Sequence, residues 1–174
     1  MSSHNSSCSS KDSDIFWLYE QAYFYIYQKC LEFFQWFTWF SAIDTNCEPY
    51  TLSGSRIESH VGTGSVTFKG SKFAKALYVP DSSNNTGYQL LKELEIKMIP
   101  VTNACILDWL LFHPLSIPRA AWSGKKVLFL GTIYKVHNGN LFVRFLDCTG
   151  STFTWGTFCL NEKMNDDMFV LLLP

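Results

Sequence analysis

The chain is poor in charge: Asp, Glu, Lys and Arg make up 17 % of its 174 residues, below the roughly 25 % usual for soluble domains. Fourteen basic residues nearly cancel fifteen acidic ones, and this balance argues against a general nucleic-acid binder, which carries a strongly basic surface. No two cysteines stand in a CxxC pair. The six, at positions 8, 30, 47, 105, 148 and 159, come no closer in sequence than Cys148 and Cys159, so neither a zinc knuckle nor a redox motif is spelled out. The first fourteen residues, MSSHNSSCSSKDSD, lack the basic cluster and apolar core of a secretory signal. The expectation is an intracellular, soluble protein with reduced, mostly buried thiols. Gly62, Gly64 and Gly70 are not followed by the Gly-Lys-Ser/Thr pattern of a phosphate-binding loop, and no cofactor is expected.

What the sequence has in plenty is aromatic area: 15 Phe, 8 Tyr and 6 Trp, enough to offset chain entropy in a folded core. Its length suits one domain. Residues 1–14 read as a flexible Ser-rich arm and 15–174 as a single α+β domain. The segment IFWLYEQAYFYIYQKCLEFFQWFTWFSAI, 15–43, gathers Glu20, Gln21, Gln28, Lys29, Glu32 and Gln35 on one half of a helical wheel and aromatic residues on the other. This predicts a long amphipathic helix, or two shorter ones. Its charges leave no uncharged run long enough for the roughly 20 residues of a membrane span. A single Lys on its polar face also ranks a membrane surface below the domain's own core or a partner chain.

Further along, residues 62–80 predict a hairpin turning at Lys69-Gly70-Ser71, with Phe73, Leu77 and Val79 on one face. The alternation in Glu93–Met98 predicts a half-exposed strand, although the preceding YQLLKE could begin a helix. ACILDWLLFH, capped by Thr102 or Asn103 and ended by Pro114, predicts a short buried helix. KKVLFLGTIYKVH and NLFVRFLDC meet across Asn138-Gly139, and STFTWGTFCL follows, which predicts a three-stranded antiparallel meander. Strict alternation puts Val127, Phe129 and Ile133 on one face and Leu128, Leu130 and Tyr134 on the other. Both faces are apolar and need cover, and the aromatic helix and the 103–112 helix are the expected covers.

Catalytic and metal constellations are weak. Cys105 and His113 lie two helical turns, about 12 Å, apart, too far for a direct dyad. Asp108 shares the Cys105 face. His137, Cys148 and Cys159 supply three ligand types on the meander where zinc normally takes four, and no metal is expected. Arg144, Lys125, Lys126 and Lys135, with the aromatics, are the only basis for a base-stacking sheet.

The stretch ILDWLLFHPLSIPRAAWSGKKVLFLGTIYKVHNGNLFVRFLDCTGSTFTWG resembles the C-terminal region of short uncharacterised bacterial proteins. Shared features are a leucine-rich helix ending at Pro, a Trp, a GTIY strand, a Gly turn and a VR-containing strand. The likeness spans roughly the final seventy residues. This chain departs from it in having fewer tryptophans in the last strand and a distinct aromatic N-terminal half. The resemblance implies no activity and no site residue. The reading that follows is a non-catalytic interaction or self-assembly protein whose anchors are Trp36, Trp39 and Phe40, binding itself or another protein. The alternative is a small enzyme or ligand-binding protein with an unrecognised pocket.

Overall fold

A computed structural model describes residues 42–80, 85–149 and 152–174. The Ser-rich arm, the aromatic segment up to residue 41, and with it Trp36, Trp39 and Phe40, lie outside the described residues. Where the expected aromatic helix reaches them, its end is corrected. Strand β1 (Ala42–Asp44) pairs antiparallel with β3 (Ser65–Thr67), Ile43 opposite Val66. That pairing also displaces the expected 62–80 hairpin. The Lys69-Gly70-Ser71 turn continues into a single helical turn, α1 (Gly70–Phe73), because Phe73 is buried and stacks on Phe68 at 4.3 Å between ring centroids.

The main sheet is built on the long strand β5 (Lys126–Val136). At both ends β5 has β6 (Leu141–Asp147) as antiparallel neighbour, with residues 130–133 between the two paired stretches, and β6 in turn pairs antiparallel with β7 (Thr154–Cys159). On its other side the neighbour changes. The first half lies parallel to β8 (Met168–Leu171), which pairs with the short strand β4 (Leu77–Tyr78). The second half lies antiparallel to β2 (Ser55–His60). The sheet is therefore mixed, in the order β4-β8-β5-β6-β7 with β2 beside β5, and not the simple antiparallel meander expected. At the β5–β6 turn Gly139 alone takes a positive φ, 86°, with its N–H bonded to the Val136 carbonyl. The connection is thus the three-residue kind, not the two-residue kind.

The second expected strand is a helix. In α2 (Gly87–Ile96), the Thr86 hydroxyl accepts from the Gln89 N–H while the Gln89 side chain accepts from the Thr86 N–H, a reciprocal capping box. Leu90 and Leu94, one turn apart, are fully buried, and that contact outweighs the local alternation of Glu93–Met98. The helix ends with Ile99 N–H on the Leu94 carbonyl and Met98 N–H on the Glu95 carbonyl, a Schellman closure. Its left-handed position is held by Met98 at φ 51°, so the glycine that usually marks such an end is missing from the sequence and Pro100 is the signal left. Helix α3 (Ala104–Phe112) starts as expected, with the Asn103 side chain accepting from the Cys105 N–H. After a 3-10 turn, Pro114–Ser116, a one-turn helix α4 (Arg119–Trp122) buries Trp122.

Cover on the sheet's two faces comes from α3 and α2, so one of the two expected covers is corrected. The α3 face packs Ile106, Leu107, Leu110 and Trp122 on Val127, Phe129 and Leu146. The α2 face packs Leu90 and Leu94 against Leu128, Leu130, Val143 and Phe158. Within β5 the expected alternation fails after Leu130: Ile133 joins the α2 face, and Tyr134 packs with Ala104 and Phe142 beneath the start of α3. The cause is a register shift between Phe129 and Tyr134 in the β5–β6 ladder. Gly131 sits at this irregularity, its N–H on the Thr102 carbonyl at 2.8 Å, where a Cβ would stand 2.9 Å from that oxygen. No helix among the described residues is long and apolar enough to cross a membrane.

Candidate functional site

Past the irregularity, the α3 face of the sheet stops being apolar. Arg144, on β6 between the buried Phe142 and Leu146, points to the same side and is 1 % exposed. Its charge is met by Asp108 of α3: Nη1 donates to Oδ1 at 2.7 Å, and the Asp108 side chain is 22 % exposed. The other carboxylate oxygen accepts the Tyr50 N–H at 2.8 Å, so Asp108 also fixes the connection between β1 and β2. The Tyr50 carbonyl accepts from Arg144 Nη1 at 3.4 Å and from the Tyr134 hydroxyl at 3.1 Å. Burial pushes the Tyr134 phenol above its ordinary pKa, and the hydroxyl remains a donor.

Two rings flank this guanidinium. Its Cζ lies 4.8 Å from the Trp155 ring centroid and 5.4 Å from that of Tyr50, both within cation–π range. The rings meet edge to face, 6.1 Å between centroids. Trp155 reaches Arg144 because β7 pairs it with Leu146, which sets it diagonally across the ladder from Arg144. Leu111 and Phe112, three and four residues after Asp108, complete an open cleft of about 530 Å³. Phe112 is 84 % exposed. Arg144 lines the cleft, and its Nε is buried with no hydrogen-bond partner among the described residues; an orphaned buried donor is costly.

Next to the cleft, under the same loop, lies a second polar cluster. His60 Nε2 bonds the Thr45 carbonyl at 2.9 Å, which only accepts, so Nε2 carries the proton and Nδ1 accepts from the Thr132 hydroxyl, also at 2.9 Å. Thr132 Oγ1 in turn takes the Ala104 N–H at the start of α3, and the Asn103 amide donates to the Thr45 and Val61 carbonyls. These bonds are structural: they satisfy the backbone where β2, β5, α3 and the 45–47 turn converge.

The residues weighed in the sequence separate. Cys105 faces Cys47, with Sγ atoms 3.1 Å apart, and burial holds its thiol well above the ordinary range, with the Cys47 contact adding to the rise. His113 donates from Nδ1 to the Trp109 carbonyl at 2.8 Å and stacks on the Trp109 ring. Cys148 is buried, its thiol pushed up to about 12 by burial and by Asp147. No group of three or more His, Cys, Asp or Glu able to hold a metal occurs among the described residues. Lys126 pairs with Asp167 at 2.8 Å and Lys135 with Glu58 at 3.1 Å. The sequence grouped Arg144 only with Lys125, Lys126 and Lys135 as a basis for base stacking, and so did not point to the cleft. The available signal was its place in the strand: Arg144 alternates with Val143 and Phe145 in step with Phe142 and Leu146, so a covered face would bury it.

No family model, no curated protein and no solved structure matches the chain.

Proposed function

We propose that the protein is a non-catalytic interaction module whose recognition surface is the Arg144 cleft, and that it takes an apolar side chain of a protein segment together with an adjacent carbonyl or carboxylate. The observation that carries this reading is an open cleft that Tyr50, Trp155, Leu111 and Phe112 line around Arg144, whose buried Nε–H has no partner among the described residues. That donor is closed to solvent, so an acceptor would satisfy it only as the groups over it move aside, while an apolar group replaces water against the rings. Trp, Tyr and Arg are the residue types that dominate binding energy in protein interfaces. Asp108 is the cleft's carboxylate, and both of its oxygens already accept hydrogen bonds, which favours a positioning role over acid–base work.

The test is saturation-transfer NMR with N-acetylphenylalaninamide as probe. Transfer is expected from the wild type, with binding about tenfold weaker in Trp155→Ala and in the surface variant Phe112→Ser. Equal transfer in all three proteins, or none in the wild type, overturns the reading. Light scattering of the reduced chain over a concentration series identifies the partner class. A rise in mass that Phe112→Ser reverses makes the partner a second copy. A rise reversed only by Trp36→Ala or Trp39→Ala returns assembly to the aromatic segment.

A further inference from the structure

Cys47 and Cys105 lie 58 residues apart in sequence, yet their sulfurs are 3.1 Å from each other. A disulfide bond is about 2.05 Å long, so closing one needs a movement of roughly 1 Å. The two thiols are unequal. Cys47 is exposed, on the turn that follows β1, whereas Cys105 is buried in the first turn of α3. Each is also held in place by the backbone: the Cys47 thiol reaches the Asp44 carbonyl at 3.0 Å, and the Cys105 thiol donates to the Cys47 carbonyl at 3.0 Å. Cys148 and Cys159 have no such sulfur neighbour among the described residues.

We infer that Cys47 and Cys105 form a reversible disulfide that latches the 45–54 connection onto helix α3. The oxidant is a low-molecular-weight disulfide, glutathione disulfide being the probe. The Cys47 thiolate attacks one glutathione sulfur, which makes the mixed disulfide and releases the first glutathione. The Cys105 thiol gives up its proton and its sulfur attacks Cys47 Sγ, breaking the mixed disulfide and releasing the second glutathione. Two protein thiols are oxidised, one glutathione disulfide is reduced to two thiols, and the two protons end on them. The exposed thiol makes the first encounter and the buried one resolves it, because Cys105 cannot meet a bulky oxidant.

The latch has a defined target. Cys47 precedes Tyr50 by three residues and Cys105 precedes Asp108 by three, one helical turn. Latch and Tyr50–Asp108 hydrogen bond therefore join the same connection to the same helix at successive points. In the reduced chain the exposed Tyr50 ring is held by non-covalent contacts alone. In the oxidised chain its anchor is covalent. This inference does not depend on what the cleft binds.

The full chain is equilibrated with glutathione disulfide, free thiols are alkylated, and the digest is mapped by mass spectrometry without reduction. The expected result is a Cys47–Cys105 linked peptide pair as the main oxidised species. Cys148 should stay alkylatable after unfolding, dithiothreitol should reverse the link, and Tm should rise by roughly 5–10 °C, since the closed loop is long. Cys47→Ser, a surface change, is expected to keep the reduced protein's Tm and to lose both the link and the rise. A Cys47–glutathione adduct that persists without resolution overturns the inference, as does a dominant link from either cysteine to Cys8, Cys30, Cys148 or Cys159.

Discussion

The two faces of the main sheet are made by the same strands and closed in different ways. On the α2 face, Leu90 and Leu94 meet Leu128, Leu130, Val143, Phe158 and Val170, and the cluster is apolar throughout. On the α3 face, an apolar half around Trp122 and Phe129 gives way to Arg144, Asp108, Thr132 and Asn103, joined by hydrogen bonds to the backbone. An apolar face loses stability in proportion to the volume removed from it. A polar one is far less forgiving, because deleting one partner strands the other in a low-dielectric interior. Both faces contribute apolar core to the domain, and the polar half of the α3 face in addition fixes where one loop, one helix and one strand must sit.

The comparison breaks most sharply at Asp108. Asp108→Ala leaves Arg144 buried without its counter-charge and is expected to cost about 3–5 kcal/mol in urea unfolding. The double variant Asp108→Leu/Arg144→Met should recover most of that loss; failure to recover would mean that the pair itself, and not the stranded charge, supplies the stability. On the other face, Leu94→Ala is expected to cost about 3 kcal/mol by the same measurement, through a cavity beside Leu90. Gly131→Ala, which drives a Cβ against the Thr102 carbonyl, should cost about 2 kcal/mol.

Smaller effects sharpen the contrast at the edges. Met98→Gly relieves a left-handed residue that is 90 % exposed, and a gain of about 0.5–1 kcal/mol is expected. The smallest concerns Asp147. Burial works to raise its pKa, but bonds to Oδ1 from the Thr149 N–H at 2.9 Å and hydroxyl at 2.6 Å prevail and hold it below its ordinary value. A carboxyl depressed in the folded state adds stability above its unfolded pKa and loses it as pH falls through the folded one. Thr149→Val should therefore lower stability at neutral pH and flatten the acid limb below the usual aspartate range. An unchanged limb would assign the depression to the backbone N–H and the nearby Lys126 charge.

Helix α3 and the strands β5, β6 and β7 were legible because caps, a turn glycine and runs of strand-forming residues all agreed locally. Helix α2 was misread from Glu93 onward because its terminal turn alternates and its left-handed closure is a methionine. The partners of β3, β4 and β8 were out of reach, since short strands carry no local mark of a neighbour many residues distant. The cleft was hidden for a related reason. Asp108 is separated from Arg144 by 36 residues and from Tyr50 by 58, and nothing but the fold joins them.

The irregularity in β5 bears on the lengths of chain this architecture can accept. Upstream of Leu130 and downstream of Ile133, odd and even positions exchange faces, so residues 130–133 act as a parity switch within one continuous strand. Deleting a single residue there would restore strict alternation with Ile133 still on the α2 face and Tyr134 still beneath α3, whereas strict alternation at the present length would turn Tyr134 towards Leu90 and Leu94 and send Ile133 to the side of Arg144. The extra residue lets one strand keep two apolar faces in different phase, and it falls where the β2, β6 and β8 pairings of β5 change over.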